Sequence, residues 1–141
     1  MNTKKASYEN IEPSKYSVYF DKAEAFFRAM TAAYRDENRY STGLEAVHCA
    51  ISATDALLAK RFGIRCTGKD HRDVIRLIQE RMGPQSKEQA ALLSRIINMK
   101  NQIEYEDRMF TAKEAEEIFK RTDRYYNWIK TQLAGSQERK K

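Results

Sequence analysis

Between Tyr16 and Tyr34 the residues Tyr16, Tyr19, Phe20, Ala23, Phe26, Phe27, Met30, Ala33 and Tyr34 return at steps of three and four. A strand alternates with a period of two, so this spacing belongs to a helix with one buried stripe. It predicts helix one over 14–37, ended in the Asp36–Asn38 region. A second stripe, Leu44, Val47, Ile51, Thr54, Leu58 and Phe62, follows Ser41 as N-cap and stops at Gly63. Asp70 is placed to cap a shorter third helix that buries Val74, Ile75, Ile78 and Met82 and ends at Gly83-Pro84. Ser86 is the expected cap of a fourth, with Leu92 or Leu93, then Ile96, Met99 and Ile103. Thr111 and Glu114 have the spacing of a capping box, in which hydroxyl and carboxylate satisfy each other's free amides. The fifth helix then carries Ala115, Ile118, Phe119, Thr122, Tyr125, Tyr126, Ile129 and Leu133 to a stop at Gly135.

No segment reads as a strand and no repeat is present. Five Gly and two Pro in 141 residues exclude a turn-rich sandwich or barrel. The fold class is therefore all-α: an up-and-down four-helix bundle with one additional short helix. Four helices of about 20 residues would each run about 30 Å. The expected organisation is a flexible N-terminal tail over 1–13, the bundle over 14–134 and a basic C-terminal tail over 135–141. Helix five shows Tyr125, Tyr126 and Trp128 together, more aromatic surface than one face buries. That excess predicts a homodimer. No apolar run approaches the ~20 residues that span a bilayer. A polar start and two Cys, too few for a disulfide framework, lead to the expectation of a reduced, cytoplasmic, soluble protein.

The formal charge is +6, and it is uneven. From Lys60 to Arg81 seven Lys/Arg face three acids, and from Lys120 to Lys141 seven face two. Two basic zones fit a polyanion, nucleic acid above all. The expected contacts are Arg61, Arg65, Lys69, Arg72, Arg76, Lys100 and Arg108, with help from the C-terminal tail.

Candidate chemistry is sparse. His48 and Cys49 are adjacent on a helix, point about 100° apart and cannot form a nucleophile–base dyad. Glu45, His48, Ser52 and Asp55 make a polar line along an otherwise apolar helix; a hydrogen-bonded buried network or a solvated edge is its commoner meaning. His48, Cys49, Cys66 and His71 lack the spacing of a zinc site. No metal and no cofactor are expected. The segment Ile96 to Phe110 is richer: Lys100, Asn101, Glu104, Tyr105 and Arg108 put cation, amide, acid and phenol within about two turns, with Lys100–Glu104 and Glu104–Arg108 as i, i+4 pairs.

From about Tyr16 to Leu133 the chain resembles a HEPN domain, the small helical domain of prokaryotic toxin–antitoxin and nucleotidyltransferase-linked systems. The marks are the Phe-rich first helix, the Gly43-Leu44 to Phe62 second helix, Thr67-Gly-Lys-Asp-His71 before a short third helix, the Lys100-Asn101 to Tyr105 segment and the capped last helix. Ribonuclease-active members carry an Arg, four to six residues, then a His at the end of the penultimate long helix, often with an Asn after the Arg. The matching positions here are Lys100, Asn101 and Tyr105. Lys keeps only the charge of a forked guanidinium, and Tyr is a poor proton shuttle at neutral pH. Arg65 and His71 have the right spacing but precede the third helix, and the match is set aside as chance. The resemblance implies dimerisation through the motif-bearing face, with RNA in the shared cleft. A nucleotidyltransferase or an antitoxin is the implied protein partner. The expectation is an RNA- or nucleotide-binding module with little or no catalysis. The alternatives are an active metal-independent endoribonuclease, or a structural partner of a nucleotidyltransferase.

Overall fold

The computed structural model describes residues 6–138. Five α-helices run in order: α1 (Tyr16–Arg35), α2 (Arg39–Phe62), α3 (Arg72–Met82), α4 (Lys87–Glu104) and α5 (Ala112–Glu138). The four long ones form the bundle and α3 is the short accessory, as the stripes require. Among the described residues no helix is long and apolar enough to cross a membrane.

α2 is the central element. Ala46, Ala50, Ala53, Ala56, Leu57 and Ala59 are all fully buried along it. Small side chains let neighbouring helices approach closely from several sides. Gly43 is the extreme case, because any Cβ there would run into the Ile103 side chain of α4. α1 packs antiparallel to α2 across a short turn, so Tyr19 lies near Asp55 and the Phe26 ring lies 5.2 Å from the His48 ring. α5 runs along both: Tyr126 stacks on Phe27 at 4.5 Å, Phe119 on Tyr34 at 4.6 Å, and the Tyr125 hydroxyl meets Thr54 Oγ1 at 2.6 Å.

That placement removes the stated reason for a dimer. Tyr125 and Tyr126 are buried within one chain, and Trp128 is half-buried with its ring 5.7 Å from that of Tyr125. α5 is covered on two sides, by α1 and by α2, so it buries more than one stripe.

The helix ends differ in detail from the expectation. Asn38, not Ser41, caps α2: its side-chain oxygen accepts from the Ser41 amide at 3.3 Å. Ser86 stands at the start of α4, but its hydroxyl donates back to the Gly83 carbonyl at 2.8 Å. α5 runs through Gly135 to Glu138. A glycine costs about 1 kcal/mol in a helix interior and does not by itself end one. Residues 139–141 of the expected basic tail lie outside the described residues.

The larger departure is a small sheet. Tyr8–Asn10 (β1) pairs antiparallel with Ile64–Cys66 (β2), with Glu9 opposite Arg65. The Ile11 amide adds a bond to the Gly63 carbonyl, and the Thr67 amide one to Ser7. Tyr8–Asn10 is therefore tied down within the expected N-terminal tail; residues 1–5 are outside the described residues. Gly63 caps α2 in the left-handed conformation (φ 63°) and reverses the chain. The segment after it climbs back along α2.

Candidate functional site

The climb of residues 64–71 decides where the chemistry lies. Arg65 passes Asp55 near the middle of α2, and His71 ends near His48, a turn or two closer to the start of that helix. α3 then descends and α4 rises beside it, joined by the tight turn at 83–86. Eleven helical residues span about 16 Å. Counting equal lengths from the turn puts the start of α3 opposite residues 97–100 of α4. The structure has that arrangement: His71, Lys69 and Arg72 share one hollow with Lys100, Asn101 and Tyr105. Its volume is about 180 Å³, which has room for a phosphate group and is small for a drug-sized ligand.

Local bonds hold the turn in place. The N-cap of α3 is His71, not the expected Asp70; the Asp70 carboxylate instead accepts from the Arg72 amide at 2.9 Å in a turn just before the helix. Gly68 lies so close to the Asp73 carboxylate that no Cβ fits. Asp73 is itself buried and bonded to Arg76 at 2.6 Å. On the other wall, Lys100 reaches Glu104 at 3.3 Å, the expected i, i+4 pair. His71 is half-buried, and its pKa lies below the ordinary imidazole value. Burial is the main cause, followed by the charges of Lys100 and His48; Asp70 and Glu104 oppose the shift.

The seven cations expected at a nucleic-acid surface are not all gathered here. Lys69, Arg72 and Lys100 line the hollow. Arg61 donates to Gln132 on α5, and Arg76 is committed to Asp73. Arg65 lies over the Tyr19 ring at 5.8 Å and 3.7 Å from Glu9. Arg108 does not pair with Glu104. α4 ends at Glu104, and Arg108 turns to Glu106 at 2.9 Å and Glu114 at 2.8 Å. Of the motif positions, Lys100 is half-buried, Asn101 exposed, and Tyr105, at 75%, the most exposed large hydrophobic among the described residues.

The polar line on α2 is split between environments. His48 is exposed and Asp55 half-buried, with its Oδ1 atom out of contact with solvent. Among the described residues, Asp55 Oδ1 has no hydrogen-bond partner. Burial pushes its carboxyl up to about 7, against the opposing charges of Arg65 and Lys22. Cys49 is buried and its thiol is pushed up by that burial, so it is no nucleophile.

Residues 16–132 match the HEPN domain family. The chain belongs to that family. No curated protein matches it. In this HEPN domain the motif-equivalent segment Lys100 to Tyr105 faces the turn before α3, and that turn carries a histidine. Of the Arg65–His71 pair set aside above for its place before the third helix, His71 lines this hollow and Arg65 does not. The equal-length count from Gly83-Pro84 was the available signal. Two other hollows, about 310 and 380 Å³, flank Glu37 and Arg39 at the α1–α2 turn. They are larger, but their linings contain no histidine and no cluster of cations.

Proposed function

We propose that this HEPN domain binds single-stranded RNA, with a backbone phosphate in the hollow between α3 and α4. The observation that carries this reading is the convergence of Lys69, Arg72 and Lys100 with Asn101 on one small hollow that has room for a phosphate. Three cations supply the counterion-release attraction common to nucleic-acid binders. Asp70 lines the same space, but its carboxylate is engaged by the Arg72 amide and lies 3.7 Å from the Arg72 side chain. Tyr105, open to solvent at the rim, offers a face on which an unpaired base stacks. The family resemblance supplies a second copy of the chain, and the exposed Tyr105 and Met109 beside the motif support that assembly; light scattering at twice the single-chain mass is the expected result.

The test is fluorescence anisotropy with a short single-stranded RNA across a salt series. The single phosphate held in the hollow predicts a slope of about −0.7 in log affinity against log salt. Replacing Lys69, Arg72 and Lys100 together by Gln should abolish most of the binding, whereas Arg61→Gln and Arg76→Gln should leave it. Undiminished affinity in the triple variant, or a slope near zero, overturns the reading.

A further inference from the structure

The start of α1 and the ends of α2 and α5 meet around an open hollow of about 240 Å³. Tyr16, Phe20, Leu133 and Ala134 make its apolar wall, and Lys60 and Lys130 bring two ammoniums to it. It shares no residue with the α3–α4 hollow. The ammoniums are held without being neutralised. Lys60 Nζ donates to the Leu133 carbonyl at 3.1 Å and lies 4.5 Å from the centre of the Tyr16 ring. Lys130 Nζ lies 5.5 Å from the centre of the Tyr126 ring. A carbonyl and a ring face attract an ammonium but carry no net charge. Among the described residues neither lysine pairs with a carboxylate, whereas Lys100 and Lys120 each pair with a glutamate one turn away. The chain around them holds no acid either. Residues 13–20, 56–63 and 124–134 contain Lys15, Lys60, Arg61, Arg124 and Lys130, and not one of the 20 Asp and Glu.

We propose that this hollow docks an acidic segment of a partner protein. One apolar side chain of that segment lies against Phe20, Leu133 and Ala134, and flanking Asp or Glu carboxylates pair with Lys60 and Lys130. The rings here serve the protein itself, which sets the site apart from one for nucleic acid. Tyr16 seats Lys60, and Tyr126, which seats Lys130, is stacked by Phe20 at 5.8 Å and by Phe27 at 4.5 Å. Base stacking draws on an open ring face. An apolar wall beside positioned ammoniums instead suits a peptide that carries one apolar side chain between carboxylates. The volume is below the range of drug-sized ligand pockets and leaves room for such a side chain. Lys60 is already held on a carbonyl and a ring, so less side-chain freedom is lost when it pairs. The acid-free surroundings speed the approach of a negatively charged segment and disfavour a basic one. The proposal is independent of the RNA-binding reading.

The experiment is fluorescence anisotropy with the full chain and a short labelled peptide of Asp and Glu with one central Phe. Saturable binding is expected, with a Kd below about 1 mM. Two control peptides, one with Ala for the Phe and one with Asn and Gln for the acids, should bind more weakly. Lys130→Gln, at an exposed position, should lower affinity about two- to fivefold, the range of an exposed ion pair. Ala134→Glu sets a carboxylate on the hollow, leaves both lysines in place and should lower affinity by more than about tenfold. The Gln variant of Lys69, Arg72 and Lys100 should bind the peptide as the parent does. No saturable binding overturns the proposal, as does equal binding of the acidic peptide and its Asn and Gln form. Unchanged affinity in Ala134→Glu also overturns it. Single-stranded RNA that displaces the peptide from the Lys69, Arg72 and Lys100 variant would assign the hollow to nucleic acid and overturn the peptide reading.

Discussion

Thr54 and Tyr125 share a buried hydrogen bond of 2.6 Å between α2 and α5. The direction of that bond follows from counting protons. The Thr54 hydroxyl already donates to the Ala50 carbonyl at 2.8 Å, so Tyr125 is the donor to Thr54. The two truncations should therefore differ. Tyr125→Phe leaves Thr54 still bonded to Ala50 and should cost about 1 kcal/mol. Thr54→Val strands a buried phenol donor and should cost about 1–3 kcal/mol. The double variant should recover part of the loss, because no polar group is then left unpaired. Urea unfolding of the four proteins measures this, and a milder effect for Thr54→Val than for Tyr125→Phe would contradict the assignment.

Asp55 makes the fold sensitive to pH. Its carboxyl is pushed from 3.8 to about 7 by burial, with Arg65 and Lys22 opposing. Below pH 3.8 folded and unfolded chains both hold the proton, and Asp55 costs nothing by ionising. Between that value and 7 the unfolded chain ionises first, so this contribution to stability falls as pH rises. Above 7 the full cost remains, on the order of 4 kcal/mol. Asp55→Asn keeps the shape and cannot ionise. It should stabilise the protein at pH 8 by a large part of that amount and have little effect near pH 4. Thermal melts at the two pH values decide the matter; equal shifts at both would rule out the ionisation cost.

Thr111 and Glu114 form the expected capping box at the start of α5. The Glu114 carboxylate accepts from the Thr111 amide at 2.9 Å, and the Thr111 hydroxyl accepts from the Glu114 amide at 3.1 Å. Arg108 adds a two-toothed ion pair to the same carboxylate. The Arg108 bond and the Thr111 amide hold the Glu114 carboxyl at about 2, below the usual carboxylate range. The stabilisation is present above the ordinary value of 4.5 and is lost as pH falls through about 2. Thr111→Ala should cost about 1 kcal/mol at neutral pH. Glu114→Gln should lose stability at pH 7 and match the parent near pH 2, which acid titration of both proteins followed by circular dichroism would show.

The bundle was legible because its stripes are long and its caps have chemical signatures: Gly63 at the end of α2 and Thr111–Glu114 before α5 stand where the sequence places them. The sheet was not, because all three residues of β1 are exposed and show no alternation; backbone pairing alone makes it a strand. The aromatic run of α5 looked surplus only while one buried face was assumed. The site was half legible. Lys100, Asn101 and Tyr105 were found through the family motif, but His71 depends on which way the chain leaves Gly63, and no local pattern encodes that.

On the RNA-binding proposal, Tyr105 is the residue that should separate single-stranded from duplex recognition. It begins the short link from α4 to α5, 75% exposed, and lines the hollow with Lys69, Arg72 and Lys100. An unpaired base adjoining the bound phosphate can lie on the phenol ring, and such stacking is typically worth about 1–3 kcal/mol per base. A base inside a duplex already stacks on its neighbours and gains nothing there. Tyr105→Ala should then weaken single-strand binding about 5- to 150-fold. Tyr105→Phe, which keeps the ring, should bind as the parent does. Duplex RNA, held by backbone charge alone, should bind more weakly and respond equally little to both changes. The three proteins measured on both RNAs at one salt concentration provide the check. A loss in Tyr105→Phe as large as in Tyr105→Ala would assign the contact to the hydroxyl, and an equal loss on duplex would remove the stacking role.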